Sequence, residues 1–106
     1  MRVILVDDHA AFRESLAFML DREPDITIVA DVGTVAEARK HLEDIDIGVV
    51  DLHLADGKGT DVVRALRMAN PRCSILVVTG SRVRQEIAEA VEAGADAVMH
   101  LSLIHI

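Results

Sequence analysis

Apolar positions along this chain follow two rhythms. Short continuous runs, VILV at 3–6, IGVV at 47–50 and SILVV at 74–78, read as strands buried on both faces. Between the first run and ITIVADV at 26–32, which alternates less cleanly and is read as a second strand, Phe12, Leu16, Met19 and Leu20 recur at helical spacing. Thr34 with Glu37 three residues on is a capping-box signature, and Val35, Ala38 and Leu42 then form one stripe through a helix of about ten residues. After a loop bearing Gly57 and Gly59, the positions Val62, Val63 and Leu66 mark a third helix. It must end before Pro71, because the residue preceding proline is pushed out of the helical region. Val83, Ile87, Ala90 and Val91 mark a fourth, with Gly94 placed to stop it in a left-handed conformation, and ADAVM at 95–99 is the fifth strand.

Strict alternation of apolar strands and helices favours a parallel sheet with right-handed crossovers. The predicted fold is α/β: a doubly wound, flavodoxin-like five-stranded parallel sheet in the order 2-1-3-4-5. A fifth helix should follow the last strand and cover the sheet beside helix 1, yet the sequence runs into LSLIHI. Without that helix an apolar face is left open, which predicts self-association.

The length of 106 residues, 51% of them hydrophobic, suits one domain. A formal charge of -7 disfavours a surface that tracks nucleic-acid phosphates, so no direct nucleic-acid contact is expected; cations or basic partner patches suit it better. The apolar run before Asp7 and Asp8 is too short for a signal-peptide core or a membrane span, which points to a cytoplasmic protein with no membrane contact. Cys73 stands alone and reads as a small, partly buried side chain.

In open parallel sheets, ligands bind beyond the carboxyl ends of the strands. The residues at those ends are Asp7 and Asp8 after strand 1, Asp51 after strand 3 and Thr79 after strand 4. If strands 1 and 3 are neighbours, three carboxylates converge, and like charges so close require a compensating cation. Hard oxygen donors with room for water favour Mg²⁺ together with phosphate oxygens, and the Thr79 hydroxyl could donate to a phosphoryl oxygen on Asp51. Each residue also has a plainer reading: Asp8 as a cap of helix 1, Asp51 as a polar strand terminus, Thr79 as a cap with Ser81. The joint occurrence at three strand ends favours the functional set. The five histidines show no i, i+4 pairing and are read as solvent-facing, and Gly57 and Gly59 as turn residues rather than a nucleotide cradle.

With VILVDDH, VVDLHLADGKG, ILVVTGS and EAGADAVM in this order, residues 1–100 resemble the receiver domain of bacterial two-component response regulators. They look most like the subfamily in which a helix-turn-helix output domain follows. The resemblance implies that Asp51 is the phosphoacceptor for a phosphohistidine of a sensor histidine kinase. Asp7, Asp8, Asp51 and the main-chain carbonyl of His53 would hold Mg²⁺, and Thr79 would be the switch hydroxyl. It also implies a phosphoacceptor signalling domain rather than an enzyme, with only self-phosphorylation and dephosphorylation, a transcriptional output, and a possible homodimer. An aspartate-nucleophile phosphatase would instead need a second Asp where His53 stands.

Three positions depart from the family pattern. Leu101 stands where a lysine is expected, Val98 where an aromatic switch residue is common, and Ala55 where proline is frequent. The first two motivate an alternative, a receiver-like interaction module that takes no phosphate. Residues 101–106 are read as an apolar tail, either non-native or divergent.

Overall fold

In the computed structural model, which describes residues 1–101, the strands and helices alternate as the apolar rhythm predicts. In chain order they are β1 (Arg2–Val6), α1 (Ala10–Asp21), β2 (Thr27–Val32), α2 (Val35–Ala38), β3 (Ile47–Val50), β4 (His53–Leu54), β5 (Gly57–Lys58), α3 (Gly59–Ala69), β6 (Ser74–Thr79), α4 (Arg84–Ala93) and β7 (Ala97–His100). The main sheet is wholly parallel in the order β2-β1-β3-β6-β7, which is 2-1-3-4-5 when its own strands are counted. Residues 102–106, most of the predicted tail, lie outside the described residues.

Two elements differ from expectation. The second helix is four residues long and tightens into a 3₁₀ turn at Arg39–His41. Thr34 caps it as predicted, accepting from the Glu37 N–H at 3.1 Å, but only Val35 and Ala38 are buried, so packing supports a single turn. Beyond it, Asn70 Nδ2 donates to the Leu42 carbonyl at 2.6 Å and its Oδ1 accepts from the Ile45 N–H at 3.0 Å, drawing the chain toward β3. The second difference is the hairpin of β4 and β5, which pairs antiparallel behind Asp51.

On one face of the sheet, α3 buries Val62, Val63 and Leu66 completely and packs between α2 and α4. On the other face, among the described residues, lies only α1, against β1 and β2, and none of its residues is buried. An open apolar groove of about 950 Å³ runs beside it, floored by Val49, Leu76 and Val78 and edged by Leu16, Met19 and Leu101. Among the described residues no fifth helix covers it, and no helix is long and apolar enough to cross a membrane.

Arg67 gathers the far end of the sheet. Its guanidinium donates to the carbonyls of Gly94 (2.7 Å), Pro71 (3.0 Å) and Cys73 (2.7 Å) and pairs with Asp96 at 2.8 Å. Gly94 stops α4 at φ 122°, the predicted left-handed turn, which brings its carbonyl to Arg67. Asp96 also accepts from the Ile75 N–H, and this bond, then Arg67, holds its carboxyl below the usual range. Arg67→Met should therefore lower the unfolding free energy by about 2 kcal/mol, read as a lower urea midpoint. An unchanged midpoint would contradict this role.

Candidate functional site at the carboxyl ends of the strands

Because β1 and β3 are neighbours, the residues that follow them meet. Val6 lies opposite Val50, and the ladder runs one step past the strand, with the Asp51 N–H donating to the Val6 carbonyl at 2.8 Å. Asp7 and Asp51 are buried, Asp8 is exposed, and ligand atoms of Asp7, Asp8, His9 and Asp51 all lie within 4.8 Å of one another. The predicted convergence of three carboxylates is thus present.

His9 faces solvent, as the sequence predicts, and the structure also places it beside the acids. Although its side chain is 65% exposed, Nδ1 lies 3.0 Å from Asp7, 3.2 Å from Asp8 and 3.6 Å from Asp51. Its hydrogen bond to Asp7, helped by the charges of all three acids and opposed by burial, raises its pKa. Burial first, and then the charge of Asp7, push the Asp51 carboxyl up to about 6, against a pull from the His53 N–H at 3.4 Å. A buried acid that resists ionisation beside two other acids marks a site short of positive charge. Hard carboxylate oxygens are the donors that Mg²⁺ prefers, so the residues present fit such an ion.

The plainer readings fare less well at two positions. His9, not Asp8, occupies the N-cap of α1 and makes no side-chain cap bond. Thr79 is completely buried at the end of β6 and caps no helix; its hydroxyl accepts from the Ser81 N–H at 3.0 Å and keeps its own proton to donate. His53 opens β4, with its imidazole 2.8 Å from Glu86 of α4 rather than among the acids. Glu86 is held below its ordinary pKa by the Ser81 hydroxyl and then by His53. Leu101 lies beside the end of β6, where a Cβ placed on Gly80 would touch its Cδ1 at 3.7 Å, and Val98 packs half-buried against the core.

The loop behind Asp51 is fixed at two further points. Gly59 approaches so closely that a Cβ there would lie 1.8 Å from the Asp51 carbonyl oxygen. Asp56, in the β4–β5 turn, accepts from the Val35 N–H at 2.7 Å and the Ala36 N–H at 3.1 Å, and these bonds lower its pKa. The loop after Asp51 is thereby tied to the start of α2.

Residues 3–100 match the family described as response regulator receiver domain. The chain is 33% identical over 97 residues to the DNA-binding transcriptional activator DevR/DosR of Mycobacterium tuberculosis, covering 90% of this chain and 45% of that one. It is 31% identical over 97 residues to the nitrate/nitrite response regulator protein NarP of Escherichia coli, with the same coverage. It thus spans about 45% of the length of these curated relatives. Among solved structures, a response regulator from Burkholderia pseudomallei, crystallised with a phosphorylated aspartic acid, calcium ion and citrate, superposes with a TM-score of 0.85. That alignment has 28% identity and covers 94% of this chain and 59% of that one. By sequence match and by fold, the chain belongs to the response regulator receiver domain family.

Proposed function

We propose that Asp51 accepts a phosphoryl group from a phosphohistidine of a sensor histidine kinase in a Mg²⁺-dependent reaction, and that the domain then changes conformation to control an output. The observation that carries this is the buried Asp51 carboxylate within reach of Asp7 and Asp8 at the end of the central strands. The phosphorylated aspartic acid and calcium ion named for the Burkholderia pseudomallei protein support it by likeness.

Above pH about 6 the Asp51 carboxylate is ionised and can attack phosphorus. Its oxygen forms the new P–O bond while the P–N bond to the donor imidazole breaks, and the imidazole leaves with the electron pair and takes up a proton. Mg²⁺ held by Asp7, Asp8, Asp51 and the His53 carbonyl would neutralise the charge that carboxylates and phosphoryl oxygens bring together. Thr79 can donate its hydroxyl proton to a phosphoryl oxygen. Water later attacks phosphorus and returns the carboxylate, so the chain carries out only its own phosphorylation and dephosphorylation. In this reading the output is transcription, through a helix-turn-helix domain as the sequence resemblance implies. In the same reading the location is cytoplasmic and the domain pairs as a homodimer.

Leu101 brings no ammonium to the end of β6, so uptake should be slow for want of a positive charge. Incubation with Mg²⁺ and a small acyl phosphate should add one phosphoryl group to the intact mass of the wild type and none to Asp51→Asn. Leu101→Lys should gain it at least about tenfold faster. Equal uptake by Asp51→Asn would overturn the assignment of Asp51, and an unchanged Leu101→Lys rate would overturn the account of position 101.

A further inference from the structure

We propose that Arg13 is a positioning residue for the acidic site, orienting the peptide between Asp7 and Asp8 from the side opposite the carboxylates. This rests on the reading of that site as a divalent-cation and phosphoryl site. β1 ends at Val6, so the carbonyl of Asp7 lies beyond the sheet's regular ladder. The N–H of Asp7 still reaches β2, donating to the Val32 carbonyl at 3.1 Å. Its carbonyl instead accepts from Arg13 Nη1 at 2.5 Å. That carbonyl belongs to the peptide joining Asp7 to Asp8. Fixing its orientation fixes the torsions on either side, and those torsions decide where the two carboxylates point relative to each other.

Arg13 is built into this place. Its side chain is 19% exposed and is ion-paired with Asp31 of β2. Its buried Nε finds no aligned hydrogen-bond acceptor, so the contact with Asp31 is Coulombic rather than a directed bond. The guanidinium crosses the chain over Gly33, where an added Cβ would lie 2.8 Å from Nη1. One planar fork serves the Asp7 carbonyl and Asp31 together, which a lysine ammonium, a single point charge, does less well. Asp31 also offsets the positive charge that would otherwise oppose a cation at the site, so Arg13 contributes geometry rather than field.

That division supplies the test. Arg13→Met with Asp31→Asn removes the pair without changing net charge, whereas Arg13→Met alone leaves Asp31 uncompensated. Calorimetric titration with Mg²⁺ should show affinity about tenfold weaker in the double variant and reduced in Arg13→Lys, as expected when a group that supports a ligand is lost. The Asp8 amide proton shift should move in both variants before any Mg²⁺ is added, because that amide belongs to the same peptide. Wild-type affinity and an unmoved Asp8 amide in folded variants would overturn the proposal. So would a change confined to Arg13→Met, which would make the effect one of charge. If the double variant fails to fold, Arg13→Lys decides by the same two readouts. A wild type that takes up no Mg²⁺, with the Asp8 amide moving in the variants, would instead show the cation reading to be at fault.

Discussion

In the absence of divalent cations, Asp51→Asn should be more stable than the wild type at pH 7.5, by up to about 3 kcal/mol. The cause is the folded-state pKa of Asp51, raised from 3.8 to about 6 by burial and by Asp7. A carboxyl with a raised pKa holds its proton more tightly in the fold than in the open chain. Its ionisation therefore costs nothing below pH 3.8, costs more as pH rises from there, and costs its full amount above about 6. Asparagine has no such cost and keeps an oxygen for the His53 N–H. His9, also raised, adds a loss of stability as pH rises through its folded value, and Asp51→Asn removes the part of that effect due to the Asp51 charge. Urea midpoints at a series of pH values should diverge between pH 4 and 6.5 and then run parallel, and Mg²⁺ should narrow the gap by stabilising the wild type. A variant that is less stable at pH 7.5 would show that the acid cluster does not strain the fold.

Gly59→Ala should be among the most damaging single changes in the chain, costing more than about 4 kcal/mol. Helix propensity alone predicts the reverse, since alanine is favoured over glycine by about 1 kcal/mol within a helix and Gly59 begins α3. Space decides against propensity. The new Cβ would lie 1.8 Å from the Asp51 carbonyl oxygen, 2.7 Å from its carbonyl carbon and 2.8 Å from Leu52 Cα, all main-chain atoms that no rotamer change can move. Relief requires α3 to slide or the strand end to shift, and Val62, Val63 and Leu66 fix the helix in the core. Thermal melts read the loss directly. A variant with wild-type stability would mean that the loop after Asp51 relaxes freely.

The strands and acids were legible because one physical cause produced both signals. A sheet buried on two faces demands continuous apolar runs, and against Val6, Val50 and Val78 the polar residues that follow, Asp7, Asp51 and Thr79, stand out because they continue those runs while still buried. What stayed hidden depended on contacts distant in sequence. The stripe of Val35, Ala38 and Leu42 is compatible with a long helix, but only Val35 and Ala38 are buried within it, and the bonds from Asn70 draw the chain after it toward β3. The β4–β5 hairpin has two residues a side, too few for a period of two to register, and its turn is fixed by Asp56 reaching α2. The five histidines show no i, i+4 pairing, which leaves the contact of His9 with the acids unmarked by that pattern. The position of His9 directly after two acids at a strand end was the available signal.

In the proposed function, Asp51 carries the phosphoryl group. The most direct measurement is to treat the wild-type chain with Mg²⁺ and a small acyl phosphate, reduce with borohydride, which converts an aspartyl phosphate to homoserine, and map the peptides by mass spectrometry. Homoserine at position 51 and nowhere else is the predicted result. Homoserine at 7 or 8, or an unmodified Asp51 in a folded, Mg²⁺-binding protein, would contradict it.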